Sequence, residues 1–343
     1  MGDERPLAVT LGHELVALGA RSVETFEAEG HHAVYARFGD EPATLLVNAH
    51  LDTVPANAGY TASPLTAVER DGRIFGLGTA DTKGAIAAIL AALAARAAES
   101  RLPRGVAVLF SGDEEKGSRC LRAFLASERS RGLSRAIVCE PTGGRVGHRH
   151  RGVGAAEVET RSPGGHSSLA DTLTNPLITL ARTALALEQW GRGWQELGPP
   201  GFRGLCLNVA GIEGGVAFNV VPSRATLRLS LRPAPGADVD AILAEVEGEV
   251  RRAAAPQDIE WRNTHSNPAF ATRDLAAFEP LLGARVETPV DLAFWTEAAL
   301  LSAAGIDAVV FGPGHIEQAH APDEYVDVAQ LELARDAFVR VFS

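Results

Sequence analysis

Apolar positions in the first half of the chain come in short unbroken runs rather than in alternation. Runs at 44–47, 73–77, 106–110 and 136–138 are rich in Val, Ile and Leu. They read as strands buried on both faces, and a further strand falls at 33–38. Between them lie helical segments at 11–18, 82–98 and 118–129. The clearest is 82–98, where Ala, Ile and Leu on most faces indicate burial against a sheet. This rhythm predicts an α/β fold, a mainly parallel sheet sandwiched by helices.

The pattern changes near Gly152. Residues 154–160 alternate like a half-exposed strand, 162–165 form a loop, and 174–190 read as a helix. Strands at 205–210 and 225–232 flank a turn-rich stretch at 211–215. A helix at 239–253 and a closing strand at 259–263 follow. Two helices against a small antiparallel sheet make an α+β unit. The α/β character returns from Leu275, with a strand at 308–311 and a last helix at 328–342. The expected organisation is a base domain of 1–150 plus 264–343, interrupted by an inserted lid of 151–263 and hinged at the two crossings. At 343 residues, two domains are the natural expectation.

Composition narrows the partners. With 46% apolar and 22% charged residues, the chain reads as an ordinary soluble protein. A net charge of −11 and the lack of a basic stretch argue against nucleic acid. No segment is long and apolar enough to span a membrane or direct secretion, so the cytoplasm is the expected compartment. The three cysteines, Cys120, Cys139 and Cys206, form neither a disulfide framework nor a zinc–thiolate motif.

Polar residues just past the apolar runs carry the chemistry. The run at 44–47 leads to His50 and Asp52, 73–77 to Asp81, 106–110 to Glu114 and Glu115, and 136–138 to Glu140. Ligands in open α/β sheets collect at the carboxyl ends of strands. A further imidazole, His320, lies in Ala319-His320-Ala321-Pro322-Asp323-Glu324, with His315 as a competitor five positions away. Each residue alone reads as a cap or turn residue, but five such places, four run ends and His320, on one sheet edge are a poor coincidence. Two imidazoles and several carboxylates form a ligand set suited to a pair of zinc ions. In Asn48-Ala49-His50-Leu51-Asp52 the i and i+2 side chains point the same way. Asp52 can therefore support the far nitrogen of His50.

Those motifs, in order, are His50-x-Asp52, Gly78-x-x-Asp81-x-Lys83-Gly84, Asp113-Glu114-Glu115-x-Gly117, Glu140-Pro141, Gly165-His166-Ser167-Ser168, Asn219-Val220-Val221-Pro222 and His320. The series resembles the dinuclear-zinc amidohydrolase/peptidase family, which includes acetylornithine deacetylases, desuccinylases, aminoacylases and carboxypeptidases. The resemblance implies two Zn2+ per subunit, with Co2+ an alternative. It assigns His50, Asp81 and Glu140 to one ion and Asp81, Glu115 and His320 to the other, with Asp81 bridging. Glu114 is then the general base, Asp52 the partner of His50, and Asp81–Thr82 a candidate cis peptide. His166 is implied as an oxyanion donor that reaches a neighbouring subunit, so a homodimer formed through the lid is expected. Asn219 and Arg232 are implied as holders of the substrate carboxylate.

One segment separates branches of that family. Ala293-Phe294-Trp295-Thr296-Glu297-Ala298 departs from the commoner Gly/Thr-Ser-Asp type and looks like a branch of acetylornithine deacetylases that includes N-acetylcitrulline deacetylases. Thr296 and Glu297 are the expected contacts to the acyl group and the side chain of a small N-acyl amino acid. The expected activity is deacetylation of N-acetylornithine or N-acetylcitrulline in arginine biosynthesis. Desuccinylation of succinyl-diaminopimelate is an alternative, with His148, Arg149, His150 and Arg151 as a basic site or simply an exposed crossing. A dipeptidase or carboxypeptidase is another alternative, and a metal-free scaffold protein is disfavoured because every ligand is present.

Overall fold

A computed structural model describes residues 3–343 and divides the chain into two compact units. The first comprises the described residues through His148, then Thr272–Leu292 and Thr296–Ser343. The second comprises Arg149–Ala271 and Ala293–Trp295.

The first unit is built on a sheet in the order Ser22–Ala28, His31–Phe38, Val106–Ser111, Leu45–His50, Arg135–Val138 and Asp307–Val310. The four strands from Val106–Ser111 to Asp307–Val310 are parallel. The two preceding strands pair antiparallel, and Gly147 pairs antiparallel with Val310 at the other margin. Leu45–His50 and Val106–Ser111 are buried at every residue. That is the reason their sequences run apolar without alternation. Helix Lys83–Ala98 packs beside Val328–Val341, and its Ile89 and Leu93 join Phe110, Phe311 and Phe338 in one core. Each such side chain contributes roughly 1.5–3 kcal/mol by leaving water.

The run at 73–77 behaves differently from its expectation. Arg73–Phe75 is short and partly exposed, and it pairs with Val68–Arg70 and Tyr325–Asp327 in a separate three-stranded sheet. Only three residues extend before Gly76, whose φ of +150° leaves the strand. Asp81 therefore sits in a turn entering helix Lys83–Ala98 and not at the end of a central strand. The helix expected over 118–129 closes at Leu125. There Ser127 Oγ donates to the Phe124 carbonyl and accepts from Arg129 N, a local alternative to continuing the helix.

The second unit holds an antiparallel sheet in the order Asn208–Gly214, Arg224–Leu231, Val153–Arg161 and Ile259–Asn267. Helices Pro176–Arg192 and Val239–Ala254 share a core with its alternate residues, among them Val158, Leu227, Leu229 and Leu231. The other alternation carries ion pairs such as Arg224–Glu159 and Arg262–Glu157. The glycines at 211 and 214, expected in a turn, lie in the strand Asn208–Gly214, which pairs with Arg224–Leu231 across a bulge between Val209 and Gly211. The closing strand likewise runs past residue 263 to Asn267. Among the described residues, no helix is long and apolar enough to cross a membrane.

Candidate active site

Three parallel strands deliver side chains to one edge of the first unit. His50 is the last residue of its strand and pairs with Ser111, the last of the next. Glu140 follows two residues after Val138 ends the third. Gly312 is required beside it, because a Cβ there would lie 2.6 Å from the Glu140 carbonyl oxygen. Asp81 arrives from the side, across a cis Asp81–Thr82 peptide. The turn before helix Lys83–Ala98 is tight enough that a Cβ on Gly84 would meet the Thr79 carbonyl at 2.3 Å.

These elements assemble one cluster. His50 Nε2 lies 2.8 Å from Asp81 Oδ1, and His320 Nε2 lies 3.3 Å from Asp81 Oδ2. His320 Nε2 is also 3.2 Å from Glu115 Oε1. Ligand atoms of His50, Asp81 and Glu115 fall within 4.8 Å of one another, as do those of His50, Glu114 and Glu140. His315 stands apart, with its Nε2 2.7 Å from Gln330 Nε2, so of the two competing histidines the structure brings His320 to the cluster.

The loop carrying Glu114 and Glu115 is fixed at both ends. Asp52 Oδ1 and Oδ2 accept the main-chain N–H groups of Glu114 and Glu115, each at 3.1 Å. Asp113, at φ +70°, accepts from Arg119 Nη1 at 2.7 Å through Oδ2, while its Oδ1 lies 3.4 Å from His31 Nε2. The far nitrogen of His50, Nδ1, is 3.1 Å from the Asp52 carbonyl oxygen and 3.6 Å from its Oδ1. Asp52 thus supports His50 mainly through its main chain and spends its carboxylate on the Glu114–Glu115 turn.

The electrostatics show a surplus of negative charge. Burial raises the Glu114 and Glu140 carboxyls well above the usual range, and neighbouring carboxylates add to the rise. Burial opposes the charged form of His50, but Asp52, Asp81 and Glu140 overcome it and hold the imidazole well above its usual value. Hydrogen bonds to Asp81 and Glu115 raise His320 to about 10. Asp81 is held low despite burial by these two imidazoles. Lys83 also faces the acids, and burial lowers its pKa against the pull of Asp52, Glu324, Asp81 and Glu115. Imidazoles that cling to protons and acids that refuse to lose them are what a carboxylate-rich ligand set shows without cations. The N/O donor set fits divalent cations such as zinc.

The structure places two expected substrate contacts inside the protein. Thr296 and Glu297 are 0% and 1% exposed, sealed at the start of the short helix Ala298–Ala303. Glu297 Oε2 accepts from Ser111 Oγ at 2.8 Å, and the Asn48 amide, with its nitrogen turned toward the carboxylate, approaches it at 2.9 Å. Burial raises Glu297 to about 7. Thr296 Oγ1 accepts from Ala298 N. Both side chains are buried.

His166, Asn219 and Arg232 belong to the second unit. His166 is exposed, and its Nδ1 lies 2.8 Å from Ser168 Oγ and accepts from Ser168 N, which leaves Nε2 as the outward donor. The strand pair Gly165–His166 with Val220–Val221, and Ser167 N donating to the Asn219 carbonyl, bring His166 and Asn219 together. Arg232 is exposed at the end of Arg224–Leu231, and its main chain bonds to Leu205 and Arg151. The stretch 148–151 is not an exposed crossing. His150 is buried, His148 Nε2 is 3.2 Å from Asp291, and Arg151 donates to the carbonyls of Arg203, Gly204 and Arg232. Sequence reasoning passed over Glu324, whose carboxylate accepts three main-chain N–H groups around Asp81. Its place four residues after His320 was the available signal.

An imidazole–carboxylate cluster on the carboxyl ends of a parallel sheet is the layout of a metal-dependent hydrolase. Residues 46–343 match peptidase family M20/M25/M40, and the chain belongs to that family. It is 35% identical over 316 residues to N-acetyl-L-citrulline deacetylase of Xanthomonas campestris pv. campestris, covering 87% of this chain and 81% of that protein. It is 33% identical over 311 residues to acetylornithine deacetylase of Myxococcus xanthus, covering 87% and 79%. Among solved structures, the fold matches an M20 family metallo-carboxypeptidase from Sulfolobus solfataricus (TM-score 0.78, 20% identity, 98% of this chain and 93% of that one). It also matches a tripeptidase from Staphylococcus aureus (TM-score 0.79, 18% identity, 100% and 93%).

Proposed function

We propose that the chain removes the acetyl group from N-acetylornithine or N-acetylcitrulline, using two divalent cations, zinc or cobalt, held around Asp81. The observation that carries the reading is the pair of Asp81 oxygens, Oδ1 facing His50 and Oδ2 facing His320. His50, Asp81 and Glu140 would hold one cation, and Asp81, Glu115 and His320 the other. Bound there, the cations would supply Lewis acidity to water and to the amide carbonyl. Glu114 is the base: surroundings that favour a proton on its carboxyl suit a group that takes one from the attacking water. The oxygen of that water joins the acetyl carbon, the C–N bond breaks, and Glu114 returns the proton to the departing amine. Asp52 keeps His50 and the Glu114–Glu115 turn in place.

The substrate class rests on the relatives' names. The desuccinylase alternative loses its support because His150 and Arg151, two members of the suggested basic site, are used within the fold. The reading extends to residues 151–263 as a lid and dimerisation domain. His166 Nε2 would serve as oxyanion donor in the neighbouring subunit's site, and Asn219 and Arg232 would hold the substrate carboxylate. It places the enzyme in arginine biosynthesis in the cytoplasm. The test is kcat/KM on N-acetylornithine, N-acetylcitrulline, N-acetyllysine and N-succinyl-diaminopimelate after cation loading. One of the first two is expected to lead, and a preference for the succinyl compound would overturn the reading.

A further inference from the structure

Asp81 can face two imidazoles only if its main chain is held at one angle while His320 is held at one distance. A single side chain touches both requirements. Glu324 Oε2 accepts the N–H of Gly78 at 2.8 Å, and its Oε1 accepts those of Ala80 at 2.8 Å and Asp81 at 3.0 Å. Its carbonyl oxygen takes the N–H of Gly76 at 2.9 Å. The residue is 2% exposed, so water does not compete for these bonds. From Glu324 the chain continues as Tyr325–Asp327, paired with Arg73–Phe75. Backward, it reaches His320 in four residues, through left-handed backbone at Asp323 and His320.

We propose that Glu324 is a positioning residue for the Asp81–Glu115–His320 half of the cluster, its carboxylate locking the Asp81 turn to the His320 loop. The inference rests on the two-cation reading above. Three N–H groups converging on one buried carboxylate form a charge-assisted clamp, and removing an acceptor leaves a buried N–H unpaired. The other half depends on it less, because His50 and Glu140 stand at the ends of sheet strands. The His320 loop has separate ties: Asn57 Nδ2 donates to the His320 carbonyl, and Thr61 N and Oγ1 donate to Asp323. Those ties hold the loop to 57–61 but do not touch the Asp81 turn.

The experiment titrates the chelator-stripped full chain with Co2+, followed by visible absorbance and by calorimetry. Wild type is expected to take up two equivalents. Glu324→Gln presents an amide N–H2 to a backbone N–H, and should weaken the second equivalent about 10–100-fold, the usual cost of losing support behind a ligand. The first should stay within about 3-fold. Glu324→Asp, shorter by one methylene, should give the same pattern at smaller amplitude and serves if the glutamine variant does not fold. Asp323→Asn keeps an oxygen for Thr61 and leaves the clamp intact, and should weaken the second equivalent less than Glu324→Gln. Equal weakening of both equivalents, wild-type binding by both Glu324 variants, or the same loss in Asp323→Asn overturns the proposal. If wild type itself takes up no cobalt, the two-cation reading falls and takes this inference with it.

Discussion

His50 and Asp81, 31 positions apart in the chain, meet with Nε2 2.8 Å from Oδ1. One comes from the end of a central strand and the other from a turn outside that sheet, so their meeting is a tertiary fact. It also makes Asp81 the hub, because its other oxygen faces His320. Asp81→Asn is expected to reduce bound cation from about two equivalents to one or fewer and to abolish turnover. Elemental analysis after dialysis checks the first, and chelator treatment of wild type should reproduce the second and be reversed by zinc.

Glu114→Gln separates proton transfer from cation binding. The cation content should stay that of wild type, while kcat falls by about 10²–10⁴-fold, the range for loss of a general base. A variant with full cation content and near-wild-type kcat would remove Glu114 from the mechanism.

Cation loading should release protons. His320 is held at about 10, so its imidazole carries a proton at pH 7.5 in the cation-free protein, and His50 is pushed upward as well. An imidazole must lose that proton to serve as a ligand. Calorimetric titrations in buffers of different ionisation enthalpy should give at least one proton released per chain, falling in His320→Ala.

The cation-free protein should lose stability as pH rises from 5 to 8. Glu297 moves from 4.5 to about 7 on folding, so between those values the native state binds more protons than the unfolded chain. Stability is then present at low pH and is lost as pH climbs through the folded value, each tenfold difference in proton affinity being worth roughly 1.4 kcal/mol. Glu114 and Glu140 act in the same direction. Asp81 and Asp52 act oppositely, since their lowered values make stability fall at acid pH below about 4. Glu297→Gln should flatten part of the 5–8 slope in thermal melts, and an unchanged slope would contradict the burial cause.

Whether His166 completes a neighbouring subunit's site, as proposed, can be read from mixtures. A His166→Ala chain and a Glu114→Ala chain, each inactive, should regain partial activity when combined. Failure to recover would leave His166 serving its own subunit or none.

Much of this protein was legible in the chain itself. Unbroken apolar runs at 44–47, 106–110 and 136–138 read as strands covered on both faces, and their ends located His50, Glu114, Glu115 and Glu140. Periodicity likewise placed the helices Lys83–Ala98 and Val239–Ala254. These are local properties, because burial dictates residue type position by position. What needed the third dimension were contacts whose partners are distant in sequence. The run before Asp81 looked like another central strand, but its pairing with Tyr325–Asp327 moved it to a different sheet. That Glu297 lies buried beside Ser111 could not be read from its segment of sequence. Glu324 drew no role from the sequence, yet folding brought it against the main chain of Gly78, Ala80 and Asp81. Sequence pattern records which side chains leave water. The groups they meet are fixed only once distant segments pack together.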